Sequence, residues 1–452
     1  MELSLDPDRK LASGSVGRSK WMNRERSLVR VRSRLSLLHP PVNHRGDLRN
    51  VCIICLALIA LALKLAIAYN TIGTNDTAVF YGFAETLHQH GLEWTYQHSR
   101  YFNHPPLTAY YLRGIYALAN EPWCQQIGLH FPFLLRLPGI IADFLVVLVF
   151  LQISKRKTDP CVPTWALAIF ALSPTSLMVS GFHGNTDPVM VLLLFCAVWM
   201  CLRNQPVFSG LFLALSYQVK VVPLLLLPIF FFFWMSRRRA LLFSSPLAIA
   251  SLVFWAEPLL NFPALFARNV LFYGGYWGIW GVTYWLRLTN LGMFRMMVTF
   301  YDFTPMEALV ASMLKLIIIA AVLVIAWRRR NLGERALSDS VAYAWIVFFI
   351  FAPGICAQYM VWLAPFVLLL SPVFYGWLTA SSSLFLFFFY NTNAGEFPWY
   401  SVISDGRHGD WAPWSLWPWV VLIVGLIIFW RNARRRHPSL RLLSLEALPV
   451  RP

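Results

Sequence analysis

Charge is what this sequence has least of. Only 13% of its 452 residues are Asp, Glu, Lys or Arg, and the acidic ones number 21. A water-soluble protein of this size needs about twice that share to cover its surface, so a soluble globular class is excluded. Cysteine is sparse and scattered. Cys52, Cys55, Cys196, Cys201 and Cys356 fall in apolar runs, and Cys124 and Cys161 stand apart, which rules out a disulfide framework. The CxxC spacing of Cys52 and Cys55 lies inside an apolar run and reads as packing. No phosphate-cradling glycine loop, HExxH or Cys/His ligand spacing occurs, so nothing supports ATP-driven or zinc chemistry. Residues 1–49 lack the short apolar stretch and small-residue cleavage site of a signal peptide. No internal repeat and no soluble domain of useful size is evident.

What is present is hydrocarbon-seeking. The chain is 58% hydrophobic with a mean hydropathy of +0.56, and runs long enough to cross a bilayer recur from about residue 50 to about residue 430. Spans are expected near 50–69, 133–153, 162–180, 188–202, 207–219, 221–235, 240–256, 306–327, 341–355, 358–372, 374–391 and 414–430. Pro223 and Pro353 interrupt 207–235 and 341–372, so each is either two short helices or a broken re-entrant pair. The expected fold class is all-α, a polytopic membrane protein of about 10–13 transmembrane helices with short interfacial helices in the first external loop. Residues 1–49 and 431–452 read as basic cytoplasmic tails, the first largely disordered, flanking a membrane domain over 50–430. The first span would serve as an uncleaved anchor.

A net charge of +17 raises the question of nucleic acid, but its distribution answers otherwise. Of the Lys and Arg residues, 28 fall on one set of loops and tails and 6 on the other, the asymmetry of the positive-inside rule. Both termini are therefore expected in the cytoplasm, with the basic excess serving orientation and anionic-lipid contact rather than nucleic acid. The external segments 70–132, 257–305 and 392–413 are rich in Trp and Tyr, side chains suited to the headgroup level.

Against this background the few polar clusters stand out, because ionisable groups at a membrane margin are costly to desolvate and mark sites by default. Asn75-Asp76-Thr77 follows the first span. Shielding from water should raise the pKa of Asp76 and let it accept a proton. The commoner role from spacing alone is a helix cap by Asn75, Asp76 or Thr77, and the two are compatible. The same tripeptide is a glycosylation sequon, too close to the membrane to favour occupancy. His183-Gly184-Asn185-Thr186-Asp187-Pro188 forms a turn between two spans on the same external side. A cap by Asp187 or Thr186 before Pro188 explains one acidic residue but not His183 or Asn185. Lys220 lies near the external apex of a broken pair, where it can either meet a phosphate as a point charge or snorkel to headgroups. Arg136 and Asp143 share one span, and Asp143, a turn or two inside the hydrocarbon, needs a partner. Gln358 and Tyr359 mark another polar kink. Glu257 and Arg268 read first as solvated surface.

The order Asp76…Tyr81…Ala84…Gly91…Tyr101…His104-Pro105-Pro106, then Gly184-Asn185-Thr186-Asp187-Pro188, Lys220…Pro223, and Pro353-Gly354…Gln358-Tyr359…Trp362…Pro365 resembles the GT-C superfamily. These are polytopic glycosyltransferases that use lipid-phosphate-linked sugars, and the nearest likeness is to bacterial polyprenyl-phosphate mannosyltransferase-like members and the glycosylphosphatidylinositol mannosyltransferase branch. The resemblance implies hexosyl transfer, mannose-like, from a polyprenyl-phosphate sugar donor to a lipid or glycan acceptor hydroxyl at the non-cytoplasmic face, with inversion. Asp76 matches the family's first-loop catalytic carboxylate. By the same resemblance Lys220, Arg268 and Arg136 are candidates for donor phosphate, and His104, His183, Asn185, Asp187, Gln358 and Tyr359 for substrate. Asn75 stands where many relatives carry a second acid, so a metal pair is not supported. A divalent cation between Asp76 and a phosphate is compatible with the pattern, but nothing demands one. A bacterial plasma membrane is favoured over endoplasmic reticulum. The competing class, a transporter or flippase of a lipid-linked saccharide, should place its key polar residues near the midplane and show repeat symmetry. A polysaccharide polymerase or ligase should carry essential Arg and His in a large late loop, where this chain has little beyond Arg407 and His408.

Overall fold

A computed structural model describes residues 44–99, 101–155, 162–272, 275–289, 298–402 and 412–436. Arg100, Cys161, Tyr273, Arg295, Arg407, His408 and most of both tails lie outside the described residues. The chain divides into two compact units, Met1–Cys52 and Ile53–Pro452. The described part of the first consists of residues 44–52, already helical. Everything below concerns the second.

The helices run in order α1 (His44–Asn70), α2 (Asn75–His98), α3 (Pro106–Ala119), α4 (Phe131–Ser154), α5 (Thr164–Ala171), α6 (Asp187–Leu202), α7 (Pro206–Val219), α8 (Leu227–Ser236), α9 (Ala240–Asn261), α10 (Pro305–Arg329), α11 (Glu334–Phe351), α12 (Ala364–Leu370), α13 (Pro372–Ala394) and α14 (Leu416–Arg436). Among the described residues, seven helical segments are long and apolar enough to cross a membrane, and four shorter apolar helices accompany them. The twelfth expected span is α11, whose Glu334, Arg335 and Asp339 occupy its opening turns before an apolar run to Phe351. The fold is thus an all-α polytopic membrane protein, as the apolar runs implied. One two-residue β pair, β1 (Tyr276–Trp277) against β2 (Val298–Thr299), interrupts it between α9 and α10.

Proline sets many of the boundaries. It stands in the first turn of α3, α4, α6, α7, α12 and α13, where its missing N–H costs nothing and its fixed φ suits a helix start. Both suspected breaks occur. After α7, Lys220 is extended (φ −150°, ψ 128°) and a 3-10 turn at Val222–Leu226 precedes α8. After α11 the chain leaves helical geometry at Ala352 and re-enters through a 3-10 turn at Ala357–Val361. Pro138 sits inside α4 and cannot donate to the carbonyl four residues before it. That carbonyl, on Leu134, instead accepts the Tyr111 hydroxyl of α3 at 3.1 Å, which fastens the segment between α1 and α4 to the bundle.

Gly210 marks a close backbone approach of α7 to α9. A Cβ there would lie 2.1 Å from the Phe243 carbonyl oxygen. Small residues that let helix backbones meet are how membrane bundles gain contact in the absence of a hydrophobic drive. Gly210→Val should therefore lower the thermal unfolding midpoint of the purified protein by several degrees. Gly114→Ala, on α3 with open space around it, should leave it unchanged or raise it, since Ala favours a helix over Gly by about 1 kcal/mol.

Candidate functional site

The site is built where α5 fails to end cleanly. After a short turn at Pro174–Ser176 the chain continues as a π-helix, Leu177–His183, closed by Gly184 in the left-handed region (φ 86°, ψ 73°). A Cβ on Gly184 would also meet the Thr77 hydroxyl at 2.4 Å, so glycine is required twice over. The orphan carbonyls at this end are taken up by other elements. Arg136 donates to Gly181 and Phe182 at 3.1 and 3.2 Å, and Thr74 donates to His183 through both its N–H (3.3 Å) and its hydroxyl (2.7 Å). Thr74 is the N-cap of α2, with no side-chain cap. Its hydroxyl ties α2 to the π segment instead.

That leaves Asp76, two residues on in the first turn, for a different use from the cap that its spacing suggested. Its Oδ2 lies 3.0 Å from His183 Nε2 and accepts Gln358 Nε2 at 3.1 Å. The other ring nitrogen of His183 meets the Tyr390 hydroxyl of α13 at 2.7 Å. The half-buried carboxylate is expected from sequence to have a raised pKa, and here the structure differs. Burial does push it up, but the hydrogen bond and charge of His183, with Lys220 and His104 beyond, outweigh that and hold the group below its usual value. Shielding alone was legible from position, whereas the compensating partners come from distant segments.

A second pair stands beside the first. Asp187, fully buried at the start of α6, receives Lys220 Nζ on Oδ1 at 2.7 Å. Its backbone N–H is capped by Asn185 Oδ1 at 3.0 Å, so Asn185 performs the capping expected of Thr186 or Asp187. Asn185 Nδ2 and Asp187 Oδ2 are buried without a hydrogen-bond partner. The Lys220 ammonium sits 4.2 Å above the Tyr359 ring and 5.0 Å from Trp362, two stacked rings that attract a cation through their π faces. His104 packs against Phe80, with its pKa pushed down to about 3 by burial first and then by Lys220, and is neutral at ordinary pH. Asp76, Lys220, His183, His104, Asp187, Asn185, Gln358 and Tyr359 thus gather at one end of the bundle, from α2, the π segment, α6 and both helix breaks.

Residues 132–353, just under half of the chain, match the family model described as Glycosyltransferase family 87, a GT-C type family. This match supports a polytopic GT-C glycosyltransferase. No curated protein matches it significantly. The matched stretch of the glycosyltransferase contains His183, Asn185, Asp187 and Lys220, while Asp76, Gln358 and Tyr390 lie outside it.

Two candidates do not join the cluster's open side. Arg136 is 1% exposed and its guanidinium is committed: Nε to Pro132 O, Nη1 to Thr71 Oγ1, Gly181 O and Phe182 O, and Nη2 to Ala68 O and Thr71 O. It clamps α1, α4 and the π segment together and has no donor left over for a donor phosphate, which corrects that expectation. Arg268 is held by Tyr96 O and Asn269 Oδ1, both at 2.9 Å. Because Tyr96 in turn donates to His104 O at 2.7 Å, Arg268 braces the wall behind His104 rather than facing Lys220. Tyr390 is the residue that sequence reasoning missed. Its signal was the polar run Tyr390-Asn391-Thr392-Asn393 closing a Phe-rich span. Among the described residues no group of three or more His, Cys, Asp or Glu side chains could hold a metal ion.

Removing Arg136 orphans buried carbonyls at about 1–3 kcal/mol each. Arg136→Ala should lose the folded protein, seen as a collapsed thermal midpoint, and Arg136→Lys should not restore it because the planar fork is lost. A stable variant with only weaker donor binding would return Arg136 to the phosphate role.

Proposed function

We propose that the glycosyltransferase moves a hexose, mannose-like, from a polyprenyl-phosphate donor to a hydroxyl of a lipid or glycan acceptor at the non-cytoplasmic face, inverting the anomeric centre. The observation that carries this reading is the neighbouring placement of an ionised carboxylate, Asp76, and an ammonium, Lys220, at the mouth of a membrane bundle. Asp76 takes the acceptor proton as the acceptor oxygen forms its bond to the anomeric carbon. The bond from that carbon to the phosphate oxygen breaks, and its electron pair leaves with the polyprenyl phosphate. The phosphate gains negative charge in this step, so a fixed cation beside it lowers the barrier. Lys220 uses one of its three N–H groups on Asp187 and has two for the phosphate. Such a leaving group needs no proton, so a single base suffices.

His183 and Gln358 aim Asp76, and Tyr390 in turn fixes the His183 ring. Asn185 and Asp187, with their unpaired atoms, and Tyr359 and His104 line the donor's side. The charge asymmetry of the loops supports both termini in the cytoplasm, and the membrane we propose is a bacterial plasma membrane rather than endoplasmic reticulum. The chain's own cluster at the bundle end, rather than a symmetric midplane path, favours this over a flippase.

Asp76→Asn should cut transfer of radiolabelled sugar from a polyprenyl-phosphate hexose by about 10²- to 10⁴-fold while leaving the thermal midpoint in place. Retained turnover would remove Asp76 as the base. Lys220→Met should lower kcat more than it raises KM. Because the Asp76 pKa is depressed, the competent ionised form persists as pH falls and is lost only below the ordinary carboxylate value of about 3.9. A pH–rate profile of the donor reaction should show no acidic loss assignable to Asp76 above that value.

A further inference from the structure

A second polar cluster lies deeper in the bundle, and the transfer step does not use it. Lys64 of α1 and Asp143 of α4 form a buried ion pair, Nζ to Oδ2 2.6 Å. The same Oδ2 accepts the hydroxyls of Ser176 and Ser180 at 2.6 and 2.5 Å, and Lys64 also donates to Ser176 Oγ at 2.6 Å. Lys64 is 3% exposed. Both charges fall within helices apolar enough to span a membrane, where they are expensive to keep. A buried pair of this kind is poor evidence for stability, since an apolar replacement of both partners is often neutral. Its retention calls for another explanation.

The connection lies in the backbone. Ser176 precedes and Ser180 sits inside the π segment whose last residue is His183, and His183 holds Asp76. A π segment carries one extra residue per turn, so its register is fixed by what its side chains hold rather than by the helix ladder. Apolar packing holds Val179 and Phe182 in the latter part of the segment, whereas cavities lined by Asp143 and Ser176 leave its beginning less tightly filled. Arg136 and Thr74 pin the segment's end, and Asp143 alone reaches two of its hydroxyls near its beginning.

We propose that the Lys64–Asp143 pair, through Ser176 and Ser180, is a positioning device that sets the register of the π segment and so the contact of His183 with Asp76. This rests on Asp76 being the base. The titratable groups that face Asp76 are His183, Lys220, His104, Tyr390 and Cys356. Of these, the cluster governs His183 most directly.

The test compares wild type, Asp76→Asn, Ser180→Ala and the double variant Lys64→Met/Asp143→Leu, with full-length protein in detergent and radiolabelled polyprenyl-phosphate mannose and glucose as donors. The double variant should keep its thermal midpoint within a few degrees while kcat falls about 10- to 100-fold, the scale for a misplaced catalytic group, with KM changed far less. Loosening His183 removes a contact that lowers the Asp76 pKa, so the acidic limb of the rate profile should move up in pH. A merely structural role would not move that limb. Ser180→Ala should shift kcat and the limb in the same directions by a smaller amount, and it decides the matter alone if the double variant does not fold. Wild-type kcat and an unmoved limb in Ser180→Ala and in a folded double variant would overturn the proposal. An active Asp76→Asn, or a wild type inactive with both donors, would instead overturn the reading on which it rests.

Discussion

A charge held away from water must be met by another group, and that single constraint organises this molecule. With 13% charged residues, the chain brings few of them into the bundle and leaves none of the central ones alone. Asp76 meets His183 and Gln358, Asp187 meets Lys220, Asp143 meets Lys64, and Arg136 spends its donors on carbonyls. Each pairing needs a backbone that departs from a straight helix. The π segment delivers His183, the break after α7 delivers Lys220, and the break after α11 delivers Gln358 and Tyr359. Irregular backbone at membrane depth is tolerated where it is buried in protein or lines a cavity, and here it is what places the reactive groups.

The electrostatics of the two pairs differ in a way that suits them to different tasks. Asp76 is half-buried and has its charge stabilised by neighbours from other elements, so it stays ionised yet accessible. Asp187 is fully buried against Lys220 and serves to hold the ammonium over Tyr359 and Trp362 rather than to meet a substrate proton. A depressed carboxylate is a weaker base than a raised one. In the proposed reaction the compensation is a leaving phosphate that departs readily, so that proton removal need not run ahead of bond cleavage.

Much of the architecture was legible because hydropathy and proline act locally. The apolar runs became helices, with α4, α6, α7, α10 and α13 within three residues of the expected bounds and the others five or more residues off at one end, and Pro223 and Pro353 marked real breaks. The polar turn at 183–187, Asp76, Lys220 and Gln358 were also visible, since polar residues in apolar surroundings announce themselves. Their partners were not. Asn, Asp and Thr at a helix start look the same whether they cap it or reach across the fold, so Asp76 and Asp187 were ambiguous until Thr74 and Thr186 proved to stand at the N-cap positions, with Asn185 accepting the Asp187 N–H. The same limit hid the pairing of Lys64 with Asp143 and the commitment of Arg136, because five accepting carbonyl residues spread over more than a hundred positions leave no local trace. Burial could be anticipated for Asp76, but the sign of its pKa shift depended on His183, 107 residues away.

The most direct measurement is an electron cryo-microscopy structure of the protein in lipid nanodiscs with polyprenyl phosphate, the leaving group, added. The phosphate should lie within hydrogen-bond reach of Lys220 Nζ, about 3 Å, with its isoprenoid chain in the lipid and Asp76 facing the space where a sugar's anomeric carbon would sit. A phosphate bound away from Lys220, with Asp76 turned to open solvent, would contradict the assignment of this cluster as the centre of transfer.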